Sequence, residues 1–326
     1  MNEKSELSRG IPLQFAKKRR KAIKGAFMKY ANLHLHSHYS DGVLSPRELC
    51  EEAKRLGYGA LAVTDHETVS GCGELFAAAE ELGLECLFGA EFTGRDFGKN
   101  FHIVGLEFDP TEGSMAEYLR KLELRAYLMT KARFDEMERK ELVEGLTWQE
   151  ICDDAPTHAW FSNEQIFASL VKRKGYTQER YWEYVGNFRA QKVSVTLPEI
   201  PKDAGIVISL IRNAGGIAVL AHPHCQTQFL PELYKMGLRG VECDHPDISP
   251  EDAEAARAFA AEKGLYISGG TDHTGLLGDY PFLRGDTPGA AEQAKKAGAY
   301  HCPLDTDVRC GITKDEFDAL KDRVYG

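Results

Sequence analysis

The chain has 326 residues, of which 43% are hydrophobic and 28% charged, a composition typical of a folded globular protein rather than a disordered one. Its net charge of −10 argues against a protein that coats nucleic acid, because such binding depends on Lys and Arg contacts to phosphates. No apolar run reaches the ~18 residues of a membrane span, and no signal-like apolar stretch opens the sequence.

Eight cysteines are scattered along the chain without a CxxC pair. In a chain of this length they predict reduced thiols rather than a disulfide framework, and zinc-ribbon spacing is absent. We therefore expect a cytoplasmic protein.

The first 30 residues are set apart by a basic cluster. This cluster consists of Lys17, Lys18, Arg19, Arg20, Lys21 and Lys24. Because such runs usually face water, we interpret residues 1–30 as a solvated extension, with an anion or nucleic-acid contact as the alternative.

From residue 31 the pattern alternates between strands and helices. The predicted strands lie within 31–35, 59–64, 84–92, 100–108, 215–224, 237–245 and 265–273. The predicted helices around them cover 46–57, 71–83, 203–214, 228–236, 249–264, 288–297 and 313–324. Such alternation favours a parallel sheet, with the chemistry at the carboxyl ends of the strands, as in an α/β barrel.

Between residues 111 and 202 the alternation stops. A long helix is predicted over 115–142, followed by three shorter ones. We interpret 111–202 as a helical insertion, a cap on an α/β domain formed by 31–110 and 203–326.

The histidines carry the strongest functional signal. His34 and His36 are two residues apart on the first strand, so both rings point to one side and suit one metal ion. Further polar residues at or near strand ends are Asp41, Asp65, His66, Glu91, His102, His222, Glu242, His245, Asp272 and His273. Burying so many ionisable side chains without a counter-charge would cost several kcal/mol for each charged group. This mixture predicts Zn²⁺, Mn²⁺ or Fe²⁺.

Six motifs, in chain order, resemble the polymerase and histidinol phosphatase (PHP) family. They are NLHLHSHYSDG, VTDHET, GAEF, FHIVGL, AHP and GGTDH, within 31–109 and 215–275. The resemblance implies a distorted (β/α)7 TIM-like barrel, two or three divalent ions, and phosphoester hydrolysis. A helical insertion after the fourth strand resembles the small-molecule phosphatase branch, including nucleotide phosphoesterases.

The resemblance also implies a ligand set. It assigns one ion to His34, His36 and Asp272, with Glu91 bridging to a second ion on His102 and His222, and a third ion to Asp41 and His66. Asp65 is either a ligand or a residue that orients a ligand histidine.

Two departures from the family pattern bear on the site. Thr274 stands where the family has its last histidine, and His273 lies one residue early, so either a loop re-aims His273 or His245 replaces it. His224 and Cys225 follow AHP where the family often has Gly-Arg, so the grip on phosphate must differ.

Substrate contacts are expected from the long helix and from the loop after AHP. Arg125, Lys131 and Arg133 can hold phosphate, or they can form an ordinary charged helix face. His224 is a further candidate, and His66 or His245 is the expected proton donor to the leaving alkoxide. The attacking group would be a hydroxide activated by two ions.

The leading hypothesis is therefore a metal-dependent phosphoesterase acting on a small phosphorylated metabolite or nucleotide. The alternatives are a 3′–5′ exonuclease, a metal-binding regulatory module without catalysis, and an amidohydrolase. An amidohydrolase would usually need a bridging carboxylated lysine, and no strand-end Lys is evident. Neither a membrane nor a nucleic-acid partner is expected, and no pattern indicates an oligomeric state.

Overall fold

The computed structural model describes residues 29–177, 180–274 and 310–325. The basic cluster of the N-terminal extension and the predicted helix over 288–297 lie outside the described residues. In the described ranges, no helix has both the length and the apolar character needed to cross a bilayer. The cysteines of these ranges are all free thiols.

The first sheet contains three short parallel strands, β1 (Ala31–Asn32), β2 (Ala60–Ala62) and β3 (Glu85–Leu87). They are connected by α1 (Pro46–Leu56) and α2 (Cys72–Leu82). A capping box at Ser45 and a proline at the first helical position begin α1, and Gly57 ends it in the left-handed conformation.

The second sheet has the order β4-β5-β6-β7-β8. Its strands are β4 (Gly89–Asp96), β5 (Lys99–Leu106), β6 (Ile217–Leu220), β7 (Gly240–Asp244) and β8 (Tyr266–Gly269). Pairs β6–β7 and β7–β8 are parallel, whereas β4–β5 and β5–β6 are antiparallel.

The remaining helices cover the sheets and fill the long connection between β5 and β6. They are α3 (Gly113–Arg139), α4 (Trp148–Asp154), α5 (Asn163–Lys174), α6 (Tyr181–Ala190), α7 (Ala204–Asn213), α8 (Leu230–Met236), α9 (Pro250–Lys263) and α10 (Lys314–Tyr325). A 3₁₀ turn, Thr227–Phe229, precedes α8.

The prediction of a parallel sheet is wrong at β4 and β5. The segment 84–92 is two strands, in different sheets, and β4 turns directly into β5. Phe97 and Gly98 both have positive φ, as in a type I′ turn, which joins antiparallel strands in two residues. Because β5 runs back, His102 in its first half lies beside the carboxyl end of β6, where the Ala221 N–H donates to its carbonyl.

Backbone hydrogen bonds link the two sheets beyond the ends of their strands. Leu33 N–H donates to the Gly269 carbonyl at 3.0 Å, and Glu91 N–H donates to the Thr64 carbonyl at 3.1 Å. The segments that follow β1 and β2 are therefore hydrogen-bonded to β8 and β4, the two outer strands of the second sheet.

The second half of α3 and helices α4–α6 form a unit that we call the helical block. Its core is separate and strongly aromatic, with Phe134, Phe161 and Phe167 fully or almost fully buried. The first half of α3 instead packs Met115 and Leu122 into the core of the second sheet. One helix thus anchors the helical block to the sheet.

The helical block supplies a stability test on α5. We expect Phe167→Ala to lower the free energy of unfolding by about 3–5 kcal/mol, because the ring is fully buried among Tyr176, Tyr181 and Tyr184. The matched control Val171→Ala, on an exposed position of α5, should change it by less than about 0.5 kcal/mol. Urea unfolding followed by tryptophan fluorescence measures both, and equal losses would contradict this packing.

Candidate metal centre

The side chain of Glu91 lies at the centre of a ring of histidines. Glu91 is 1% exposed, and its two oxygens face different imidazoles. Oε1 is 3.5 Å from His34 Nε2, 3.0 Å from His102 Nδ1 and 3.3 Å from His222 Nε2. Oε2 is 3.5 Å from His36 Nε2 and 3.1 Å from His66 Nδ1. One buried carboxylate is therefore shared by two sets of imidazoles.

Two aspartates extend this cluster in opposite directions. Asp272 Oδ1 lies 2.9 Å from His36 Nε2, and Asp41 lies 3.4 Å from His36 Nδ1 and 3.5 Å from His66 Nε2. Overlapping sets with ligand atoms within 4.8 Å are His34, His36, Glu91 and Asp272; His36, Asp41 and His66; Glu91, His102 and His222; and His34, Glu242 and His245. The structure thus brings together every ligand predicted from the sequence except His273.

Strand geometry explains why the rings converge. His34 and His36 alternate with Leu33 and Leu35, which are fully buried in the apolar core on the other side of the chain. The side chains of His66, His102 and His222 are 27%, 34% and 22% exposed, whereas those of His34 and His36 are fully buried. Solvent and substrate therefore reach the cluster from the side of the three exposed histidines.

Left-handed backbone is also found at the cluster. His222 and Asp272 have φ values of 25° and 50°, and Glu67, next to His66, has φ 54°. Left-handed backbone is uncommon outside glycine and persists where the surrounding structure enforces it, often at functional sites.

Glu242 holds two of the clustered histidines from behind. Its Oε1 lies 2.9 Å from His34 Nδ1, and its Oε2 accepts the His222 N–H at 2.6 Å. A carboxylate on Nδ1 fixes the ring so that Nε2 faces the cluster. The sequence placed Glu242 at a strand end but gave no signal for this role.

Asp65 supports the loop that carries Asp41. It accepts the Ser37 N–H and hydroxyl, both at 2.7 Å, and the Ser40 hydroxyl at 2.5 Å. Its hydrogen bonds thus orient the loop, whereas the sequence suggested the orientation of a ligand histidine.

The residues of the cluster fit divalent metal ions. His36 Nδ1 and Glu91 Oε2 are buried without a hydrogen-bond partner, although ring nitrogens lie as close as 3.1 Å to Glu91 Oε2. Buried polar atoms without hydrogen bonds are rare in proteins. Imidazoles and carboxylates turned towards shared points suit Zn²⁺, Mn²⁺ or Fe²⁺.

The charges of the cluster shift the pKa values of its own members strongly. Burial disfavours the charged forms, but His102, His34 and His66 hold the pKa of Glu91 well below its usual value. Likewise, burial opposes charge on His34, yet Glu242 and Asp272 raise its pKa well above 6.5. Despite burial, Asp41 and Glu91 raise the pKa of His66. Metal binding must therefore displace protons from these histidines.

Comparison with known proteins agrees with this geometry. The PHP domain family model matches residues 32–153. A 5′-3′ exoribonuclease from Haemophilus influenzae is 33% identical over 60% of this chain and 69% of its own length. The chain belongs to the PHP family.

Other similar proteins cover more of the chain. A phosphoribosyl 1,2-cyclic phosphate 1,2-diphosphodiesterase from Eggerthella lenta is 28% identical over 77% of this chain and 97% of its own. A 3′,5′-nucleoside bisphosphate phosphatase from Chromobacterium violaceum is 28% identical over 75% and 87%. A candidate metal-dependent phosphoesterase from Bifidobacterium adolescentis has the same fold, with a TM-score of 0.70, 24% identity, and coverage of 91% and 96%.

The aspartate and the histidine of the last motif, GGTDH, point in different directions. Asp272 reaches the cluster, whereas His273 pairs with Leu35 in a parallel bridge. Paired residues of neighbouring strands point to the same side, and Leu35 points into the apolar core. His273 therefore belongs to none of the ligand sets found among the described residues.

His245 lies against the rings of His34 and His222, at 5.8 and 5.3 Å between centroids. Its Nδ1 accepts the Asp247 N–H at 3.1 Å, and burial lowers its pKa to about 3. This environment favours a neutral imidazole with its proton on Nε2. It suits hydrogen-bond donation better than the proton transfer expected from the sequence.

The residues expected to contact phosphate lie in different parts of the structure. Burial raises the pKa of Glu67, and the positive charges of His66 and Arg125 offset part of that rise. Arg125 is therefore electrostatically coupled to Glu67, the residue next to His66. Lys131 instead pairs with Asp135 and lies over Trp148, and Arg133 lies over Phe188, all within the helical block. His224 is exposed, two residues beyond His222.

Removing the metal should make stability depend on pH. The raised pKa values of His34 and His66 stabilise the metal-free fold fully below pH 6.5, and this stabilisation is lost as pH rises through the folded-state pKa values. The lowered pKa of Glu91 contributes above pH 4.5 and is lost at lower pH. We therefore expect the free energy of unfolding of metal-free protein to fall as pH rises above 6.5.

Urea titrations across that range measure this dependence, with Mn²⁺-loaded protein as the reference. The bound ions should supply the positive charge and remove most of the decline. The same pH dependence with and without metal would contradict the arrangement.

The position of Glu242 gives a second test. We expect Glu242→Gln to weaken metal binding by about 10–100-fold, because loss of a carboxylate behind a ligand histidine typically costs that much. Chelator competition measures the affinity. Glu80→Gln, on an exposed position of α2, is the control and should leave it unchanged. Wild-type affinity in Glu242→Gln would show that the contact to His34 does not support binding.

Proposed function

We propose that this PHP-family chain is a metal-dependent phosphoesterase that hydrolyses a phosphate ester of a small metabolite or nucleotide. The observation that carries the proposal is the buried Glu91 carboxylate shared by two sets of imidazoles. Relatives that act on a cyclic phosphate and on a nucleoside bisphosphate support the substrate class.

The assignment of ligands follows the clusters. We propose His34, His36, Glu91 and Asp272 for one ion, Glu91, His102 and His222 for a second, and His36 or Glu91 with Asp41 and His66 for a third. When bound, such ions would lower the pKa of a water molecule that attacks the phosphate and would neutralise charge on the phosphoryl oxygens.

The chain's own residues complete the reaction. Asp65 keeps the Asp41 loop in place, and Glu242 keeps His34 and His222 in register. His66 is partly exposed, so where it does not hold an ion its Nε2 can give a proton to the leaving alkoxide. The Nε2–H of His245 can donate a hydrogen bond into the site.

The fold is proposed to be a distorted (β/α)7 barrel. The hydrogen bonds that join the two sheets at Leu33 and Glu91 support this architecture. In this arrangement 31–110 and 203–326 form the barrel domain and 111–202 the cap, in a cytoplasmic protein. Contact between cap and site supports it, since Gln165 of α5 donates to the carbonyls of His38 and Ser40.

Phosphate release tests the activity. Mn²⁺-loaded protein should release inorganic phosphate from a nucleoside 3′,5′-bisphosphate or a related small ester, because the cluster opens beside His66, His102 and His222. His222→Ala should lower the rate at least about 100-fold, since one ligand set is then incomplete. Metal-loaded protein that releases nothing from phosphomonoesters, cyclic phosphates or oligonucleotides would favour a regulatory module without catalysis.

A second candidate, a 5′-3′ exoribonuclease, is favoured by the relative from H. influenzae. That polarity is opposite to the 3′–5′ exonuclease considered from the sequence. Oligoribonucleotides labelled at either end distinguish the activities. Nucleoside monophosphates released first from the 5′ end, with little phosphate from small esters, would favour the exoribonuclease over the phosphatase.

Arg125 gives a test of the phosphate grip. A guanidinium contact to phosphate is worth about 1.5–3 kcal/mol, so we expect Arg125→Met to lower kcat/KM by about 10–100-fold. Arg120→Met on the same helix is the matched control, because Arg120 pairs with Glu117 on the surface. Equal effects of the two changes would remove Arg125 from the site.

A further inference from the structure

Three different metal-ligating side chains meet on the surface just beyond His222. They are His224, Cys225 and Asp252, each of which offers a ligand atom within 4.8 Å of the others. His224 and Cys225 are exposed, and the Asp252 side chain is 14% exposed. The ligand sets around Glu91 contain none of these residues.

The separation of sulfur and nitrogen matches a tetrahedral zinc site. Cys225 Sγ lies 3.6 Å from His224 Nε2. With a Zn–S bond of about 2.3 Å, a Zn–N bond of about 2.0 Å and a tetrahedral angle, the expected S···N distance is about 3.5 Å. The two side chains can therefore bind one ion with little rearrangement.

The third ligand is held in place by its own hydrogen bonds. Asp252 Oδ2 accepts the Cys225 N–H at 3.0 Å and the Ser249 hydroxyl at 3.1 Å, and Oδ1 accepts the Thr227 hydroxyl at 3.1 Å. These contacts tie the loop after His222 to the start of α9. A carboxylate has about four acceptor positions, and these three hydrogen bonds leave one of them, on Oδ1, for a metal ion.

We propose that His224, Cys225 and Asp252 form a second, separate site for one Zn²⁺ ion, with water as the fourth ligand. A thiolate with an imidazole selects Zn²⁺ over the harder Mg²⁺ and Mn²⁺. Bound Zn²⁺ would tie the loop after His222 to α9, because two of its ligands lie in that loop and the third, Asp252, lies in the first turn of α9. The alternative is a simple S–H···N hydrogen bond between Cys225 and His224.

Cobalt substitution distinguishes these two arrangements. Thiolate ligation to Co²⁺ gives a charge-transfer absorption in the near ultraviolet, and the histidine and carboxylate cluster around Glu91 cannot produce it. Burial raises the pKa of Cys50, Cys72 and Cys243 to about 12, which keeps these thiols protonated. The full-length protein, titrated with Co²⁺, should show the band.

Cys225→Ser should abolish the band and reduce bound Zn²⁺ by one equivalent per chain. Asp252→Asn should weaken Zn²⁺ binding at this site about tenfold or more while leaving the thiolate band available at high Co²⁺. The controls Cys152→Ser and Cys302→Ser should retain the wild-type band and stoichiometry. This readout does not depend on hydrolysis, so it is independent of the proposed phosphoesterase activity.

Two results would overturn the zinc site. One is the absence of a thiolate band in the wild-type protein loaded with Co²⁺, which would leave Cys225 and His224 joined only by a hydrogen bond. The other is a band that persists in Cys225→Ser, which would place the ligated sulfur elsewhere.

Discussion

The burial of one carboxylate, Glu91, is the constraint on which the rest of the site depends. A buried carboxylate is costly unless positive charge lies beside it. Five imidazoles surround Glu91. In the absence of metal, the raised pKa values of His34, His66 and His222 favour positively charged rings beside it. Divalent metal ions would supply positive charge at the same place, so the geometry that stabilises the fold also suits the site to ions.

The fold delivers these ligands through the reversal of one strand. The tight turn at Phe97 and Gly98 sends β5 antiparallel to β4, and this brings His102 to the edge where His222 follows β6. A β–α–β connection would have made β5 parallel to β4 and placed His102 at the opposite end of the sheet. The hairpin therefore makes Glu91 and His102 neighbours although they are eleven positions apart in the sequence.

Much of the site could be predicted, because the alternation of side chains along a strand and the order of the motifs can both be read directly from the sequence. The spacing of His34 and His36 fixes their common direction, and the motif order placed Glu91, His222 and Asp272 near one edge. The antiparallel hairpin was missed because Phe97 is not one of the residues that normally signal a type I′ turn. Phe97 nevertheless has a positive φ, and its ring, 46% exposed, stacks on Phe229 with 5.4 Å between the centroids.

The contacts behind the ligands could not be read from the sequence. The pairing of Glu242 with His34 joins residues that are 208 positions apart, and no local pattern specifies it. The same holds for His273, whose side is decided by its bridge to Leu35. Local motifs therefore identify the ligand residues, and tertiary contacts decide which of them reach the centre.

The most direct measurement of the central claim is anomalous X-ray scattering from crystals of Mn²⁺-loaded protein. If Glu91 bridges two ions, one anomalous peak should lie beside Oε1, near His102 and His222, and another beside Oε2, near His36. Both peaks should be within bonding distance of Glu91. A single peak on one oxygen, or peaks that do not contact Glu91, would contradict a carboxylate-bridged metal centre.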